Sequence, residues 1–75
     1  MSEVDIIVAE NVWLCAERGW QATFQLVNGE TIVRAFITAT DHENNACVVE
    51  RVGERDRPPR VLHIHEIKKV EPHWS

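Results

Sequence analysis

His63 and His65 stand two residues apart in an alternating stretch, so on a strand both rings project from one face. With His42 and His73 brought alongside, three imidazoles would suffice for a transition metal with an open position. The sequence fixes no cysteine or carboxylate beside the pair, and i,i+2 histidines on a half-exposed strand read more simply as polar surface. No metal or other cofactor is therefore expected, with His63 and His65 the residual candidates. A second group is arginine: Arg51, Arg55, Arg57 and Arg60 cluster in one polar stretch that also holds Pro58-Pro59. Arginine forks match phosphate geometry, which makes these four the candidate nucleic-acid contact. Interleaved Glu54 and Asp56 cancel much of that field, and a solvated loop is the preferred reading.

Cys15 and Cys47 form no CxxC pair, which suits a reducing compartment where both remain thiols. A cysteine beside a histidine can act as a nucleophile, but an unpaired cysteine more often serves as a small buried apolar group. GxSxG, HExxH and a phosphate-cradling glycine loop are all missing from the sequence. A chain of 75 residues also has too thin a core for a deep cleft, so binding without catalysis is expected. Three tryptophans remain as candidate anchors. Trp20 is expected in the core between helix and sheet, Trp13 lies off the main apolar stripe and is open between core and interface, and Trp74 sits in the tail.

The elements that must position these groups are read from periodicity. Val4, Ile7, Val8, Val12 and Cys15 follow helical spacing and Gly19 supplies a stop, giving a helix over about residues 9–18. The β-branched run Ile6-Ile7-Val8 lowers helix propensity, so an extended start passing into the helix near Ala9 is the competing reading. From Gln21 the period becomes two, with Ala22, Phe24 and Leu26 on one face. Asn28-Gly29 turns the chain into a long second strand, with Val33, Ala35, Ile37 and Ala39 alternating against Ile32, Arg34, Phe36 and Thr38. Further strands follow, giving spans of about 21–27, 31–40, 46–52, 60–65 and 66–71. The expected fold is one mainly β domain over residues 1–75: a small, bent, five-stranded barrel with a short N-terminal helix.

Charge is uneven beneath the net −4. Residues 1–20 carry Glu3, Asp5, Glu10 and Glu17 against Arg18 alone, whereas the last third is enriched in Arg and Lys. An acidic balance disfavours sequence-blind nucleic-acid binding and permits contact with a basic protein. Neither an export signal nor a membrane-spanning run of roughly eighteen apolar residues is present, so a cytoplasmic protein without membrane contact is expected.

The order of helix, Asn-Gly hairpin, long bent strand, Asp/Asn-rich turn and terminal Val-Leu-His-Ile-His-Glu-Ile-Lys-Lys-Val-Glu resembles the Sm-like and SH3-like small barrels over about residues 10–71. Within that group the segments Asn11-Val12-Trp13-Leu14-Cys15-Ala16-Glu17, Thr23-Phe24-Gln25-Leu26, Asn28-Gly29-Glu30 and Cys47-Val48-Val49-Glu50 resemble the bacterial Rho-binding antiterminator family. The resemblance implies a transcription regulator that covers the RNA-binding surface of the termination factor Rho, a basic RNA-handling protein, with an acidic face. Glu10 and Glu17, with Trp13 between them, are the candidate protein-binding residues, and Glu10 alone falls where such a family acid would. An alternative is an Sm-like RNA-binding ring, a homo-oligomer built by edge-strand pairing. Against it, the late-strand RNA motif of those proteins is replaced here by Leu62-His63-Ile64-His65. A third reading is a protein-assembly module with no small ligand, docked through the apolar outer face of residues 31–40.

Overall fold

The computed structural model describes residues 3–51, 53 and 57–73. Two candidates, Arg55 and Trp74, lie outside the described residues. Helix α1 spans Glu3–Arg18 and is followed by strands β1 (Gln21–Leu26), β2 (Thr31–Asp41), β3 (Ala46–Arg51), β4 (Arg60–His63) and β5 (Ile67–His73), with a 3-10 turn at Ile64–Glu66. The chain is mainly β: five antiparallel strands in one sheet, ordered β4-β3-β2-β1-β5, with one N-terminal helix.

The helix begins at Glu3, about two turns before the expected start near Ala9. Propensity alone misleads here, because each β-branched residue costs only a few tenths of a kcal/mol, up to about 0.7, in a helix. Burying a valine returns about 1.5–3 kcal/mol, and Val8 is 3% exposed in the face that packs on β5, β2 and the 3-10 turn. Glu3 and Asp5 in the first turn also complement the positive end of the helix dipole. Val8, Ala9, Val12 and Cys15 form the buried stripe. The helix stops where expected: Gly19 takes φ 71° and the Trp20 N–H donates to the Cys15 carbonyl at 3.0 Å, the six-to-one bond of a Schellman cap.

Strand β1 lies in the sheet interior, paired on one side to β2 and on the other to β5. Ala22, Phe24 and Leu26 are buried as their spacing requires. The hairpin after β1 is closed by the Leu26 N–H to the Glu30 carbonyl and the Gly29 N–H to the Leu26 carbonyl. Only Gly29 of the Asn-Gly pair adopts a positive φ, at 93°. Asn28 instead accepts the Glu30 N–H on its side-chain oxygen at 2.9 Å.

Strict alternation fails in β2. Ala22 pairs with Ala35 and Phe24 with Ile32, so Val33 and Arg34 together oppose the single residue Thr23. This is a bulge, with Arg34 at φ 51°. It buries Ile32 and Ala35, three apart, and leaves Val33 and Phe36 on the outside. A second shift lies between Ile37 and Ala39 in the pairing with β3.

The two irregularities have a geometric consequence. Through Ala46, His63 at the end of β4 is placed beside Asp41, while through Leu26, Ile67 at the start of β5 is placed near Thr31. Those two ends of β2 would be about 33 Å apart in a straight strand, yet the four links from His63 to Ile67 reach at most about 14 Å. Hence β2 bends and the sheet curls on itself. Among the described residues no hydrogen bonds join β4 to β5, so the topology is that of a curled open sheet. The stretch expected as strands 60–65 and 66–71 is interrupted by the 3-10 turn that makes this crossing. The turn is held at its corners by the Ile64 N–H on the Asn45 carbonyl and the Val27 N–H on the Glu66 carbonyl. Phe24, Ile32, Leu62, Ile64, Ile67, Val12, Cys15 and Cys47 fill the space between the sheet and α1.

Candidate functional site

The outward side of α1 is not purely polar. Glu3, Glu10 and Glu17 recur every seven residues, as do Ile7 and Leu14, so two rows run side by side along the face opposite the buried stripe. Ile7 is 53% and Leu14 37% exposed. Glu10 and Glu17 are exposed and have no ion-pair partner among the described residues. The structure therefore places Glu10 and Glu17 on one helix face, with the row of Ile7 and Leu14 beside them.

Trp13 occupies the flank of that face. It is half-buried, packs against the core, and meets the His42 ring at a centroid distance of 4.2 Å and a tilt of 33°. One portion of Trp13 supports the core and another walls a shallow groove shared with Ala16, Glu17, Thr40 and His42. His42 was not legible as a neighbour of Trp13, because a separation of 29 positions conceals a purely tertiary approach. Trp20 is half-buried and packed against the core.

The arginines are gathered around a carboxylate that the sequence does not mark. Arg51, Arg57 and Arg60 line one small groove with Glu30, Ile32, Val49 and Pro58. Arg60 donates from Nη1 to Glu30 Oε2, and Arg51 Nη2 lies 3.8 Å from the same oxygen. The Arg60 hydrogen bond, with smaller contributions from its charge, Asn28 and Arg51, holds the Glu30 carboxyl below the ordinary carboxylate range, and desolvation opposes it only in part. A folded-state value below the unfolded one means that the stabilisation is complete above the unfolded pKa and fades as pH falls through the folded value. Acid unfolding of the native chain should therefore gain a component below the reference value of 4.5 that Glu30→Gln lacks. Chemical denaturation across that pH interval measures it; parallel curves for the two proteins would contradict the assignment.

The histidines do not assemble. His63 and His65 stack at 5.6 Å and 19°, but His42 lies on Trp13, and the His73 Nε2 is 2.6 Å from Thr23 Oγ1. Among the described residues no group of three or more His, Cys, Asp or Glu converges in a metal-binding arrangement. Cys15 and Cys47 are buried free thiols; burial raises the pKa of Cys15 and pushes that of Cys47 up to about 11. Since the thiolate is the nucleophile, neither should be alkylated by iodoacetamide at about pH 8 faster than the chain unfolds. Mass spectrometry over a denaturant series checks this, and rapid labelling without denaturant would refute it.

The site is thus a mixed acidic and apolar helix face mounted on a curled five-stranded antiparallel sheet. Comparison of the chain with protein-family models, curated proteins and solved structures finds no match. No described helix is long and apolar enough to cross a membrane.

Proposed function

We propose that this chain is a non-enzymatic binding module of the bacterial cytoplasm that seats the outer face of α1 on a basic RNA-handling protein of the Rho termination-factor type. The observation that carries the reading is the pair Glu10 and Glu17, exposed and with no ion-pair partner among the described residues, in a row beside Ile7 and Leu14. Exposed carboxylates steer a basic surface by long-range attraction, and the apolar row beside them supplies the area that must be desolvated for a lasting contact. Trp13 adds an aromatic edge of the kind enriched among interface anchors. The test is calorimetric titration into purified Rho at low and high salt, with single-stranded RNA as competitor. Binding that weakens with salt and is displaced by RNA is expected. No heat and no co-migration at low salt would end the proposal.

The Sm-like ring is a second reading, favoured by one observation: β4 and β5 are both sheet edges. Unpaired edge N–H and C=O groups are a template for strand addition between copies. Light scattering in the presence and absence of RNA discriminates the two, since a stable RNA-binding ring favours the second reading and a monomer or dimer indifferent to RNA favours the first.

A further inference from the structure

Val4, Ile7, Asn11 and Leu14 follow one another along α1 at intervals of three, four and three residues, the spacing of alternating a and d positions in a heptad. They form a second seam on the shoulder of the helix, beside the stripe that packs on the sheet. Val4, Ile7 and Leu14 are all exposed, so the seam presents aliphatic surface to solvent. In the same heptad Glu3, Glu10 and Glu17 take the g positions, on the margin away from the core. All three are exposed, and none has an ion-pair partner among the described residues. Val8 and Cys15, at the e positions, are buried. A segment laid along the seam therefore meets apolar side chains in its middle and carboxylates along one edge.

The spacing of the charges selects the occupant. Seven residues of helix rise about 10.5 Å, so the acidic row repeats at that interval. A second helix carries its own heptads at the same interval and can set one Lys or Arg against each carboxylate. Side chains on one face of a strand recur every 6.8 Å or so and fall out of step with the row. A strand would also find no edge to pair with, because the backbone groups within α1 are committed to helical bonds. Nucleic acid is repelled by the row. A second copy of this chain would bring the same acids against their equivalents, and Arg18 is the one cation α1 could offer in return. We propose that the seam of Val4, Ile7, Asn11 and Leu14 receives an amphipathic helix of another protein, apolar at its a and d positions and lined with Lys or Arg on the flank that meets Glu3, Glu10 and Glu17.

Each part of the seam has a task in such a contact. Anchors at i, i+3, i+7 and i+10 are how one helix holds the apolar face of another. Asn11 lies between Ile7 and Leu14, and its Nδ2 donates to the Ile7 carbonyl at 3.2 Å. A polar residue at an a position fixes register, since a docked helix must place a hydrogen-bonding side chain opposite it. The acidic margin selects the sign of the partner and speeds its approach. The inference rests on the reading of α1 as the contact face, and names the kind of element that face takes.

The test is a titration of the full chain with a synthetic peptide of about 21 residues, leucine at a and d, lysine at e and g and alanine or glutamine elsewhere, read by circular dichroism and NMR. Lysine on both flanks keeps the free peptide from pairing with itself. Binding is expected with a dissociation constant of about 100 μM or tighter at low salt, with a gain of helical signal and shifts centred on residues 3–17. A peptide of the same composition in strict two-residue alternation should bind about tenfold more weakly. Ile7→Gln/Leu14→Gln keeps good helix formers at exposed positions, so it should melt within about 4 °C of the parent and lose about tenfold in affinity. Glu10→Gln/Glu17→Gln should weaken binding at low salt and match the parent at high salt. The proposal is overturned by absent binding, by binding without added helicity, by shifts away from α1, by equal affinity for the alternating peptide, or by undiminished affinity of the folded Ile7→Gln/Leu14→Gln. It is also overturned if light scattering finds a dimer of the native chain that this double substitution dissolves, since a second copy then fills the seam. Titration with Rho separates the two claims. Rho bound equally by the native chain and by Ile7→Gln/Leu14→Gln overturns the helix seam alone, and peptide bound where Rho is not overturns the Rho reading alone.

Discussion

Phe24→Ala is expected to lower the unfolding free energy by about 3–5 kcal/mol. Phe24 is fully buried on β1, paired with Ile32 of β2 on one side and Val70 of β5 on the other, so its ring belongs to the core under three adjacent strands. Domains of this size hold about 0.05–0.15 kcal/mol per residue, which for 75 residues is about 4–11 kcal/mol in all. One side chain therefore accounts for a large part of the margin, and much of the variant population should be unfolded at 37 °C. Val27→Ala, at a position 65% exposed in the hairpin, should stay within about 0.5 kcal/mol of the parent. Urea denaturation of the pair is decisive, because a loss below about 1 kcal/mol for Phe24→Ala would mean that the Phe24 ring does not fill the core.

The second large effect concerns binding. The double substitution Glu10→Lys/Glu17→Lys should weaken the complex with a basic partner by about tenfold to a hundredfold at low salt. That difference should shrink as ionic strength shortens the screening length below about 10 Å. The fold should not suffer. Glu17 stands in the last turn of α1, where a negative charge opposes the helix dipole, so a lysine there is expected to stabilise the helix by about 0.3–1 kcal/mol. A variant that melts no lower yet binds far more weakly separates the contact face from the scaffold. Calorimetric titration at two salt concentrations reads the first quantity and thermal unfolding the second. Undiminished affinity of the double variant would remove α1 from the interface.

The groups tied to immediate neighbours were legible in the sequence. The change of period at Gln21, the Gly19 stop and the Asn28-Gly29 turn each act through a few adjacent residues, so the mainly β class, the helix and the strand order along the chain follow from them. The candidate face was legible for the same reason: Glu10, Trp13 and Glu17 share one helix, and helical geometry alone places them near one another.

Tertiary structure decided what depends on distant partners. Burial of Val8 against the sheet carried α1 back to Glu3, a gain that no local propensity contains. Thr23 facing two residues of β2 set the bulge at Arg34, while the alternating letters of residues 31–40 fit an unbroken strand equally well. Glu30 became the centre of the arginine cluster only because the curled sheet brings the first hairpin beside β4. His42 met Trp13 through the same curling, and His73 was drawn away to Thr23. Periodicity encodes which face of a strand turns inward; the bend of β2, and with it the company each charged side chain keeps, is fixed by packing between segments far apart in the chain.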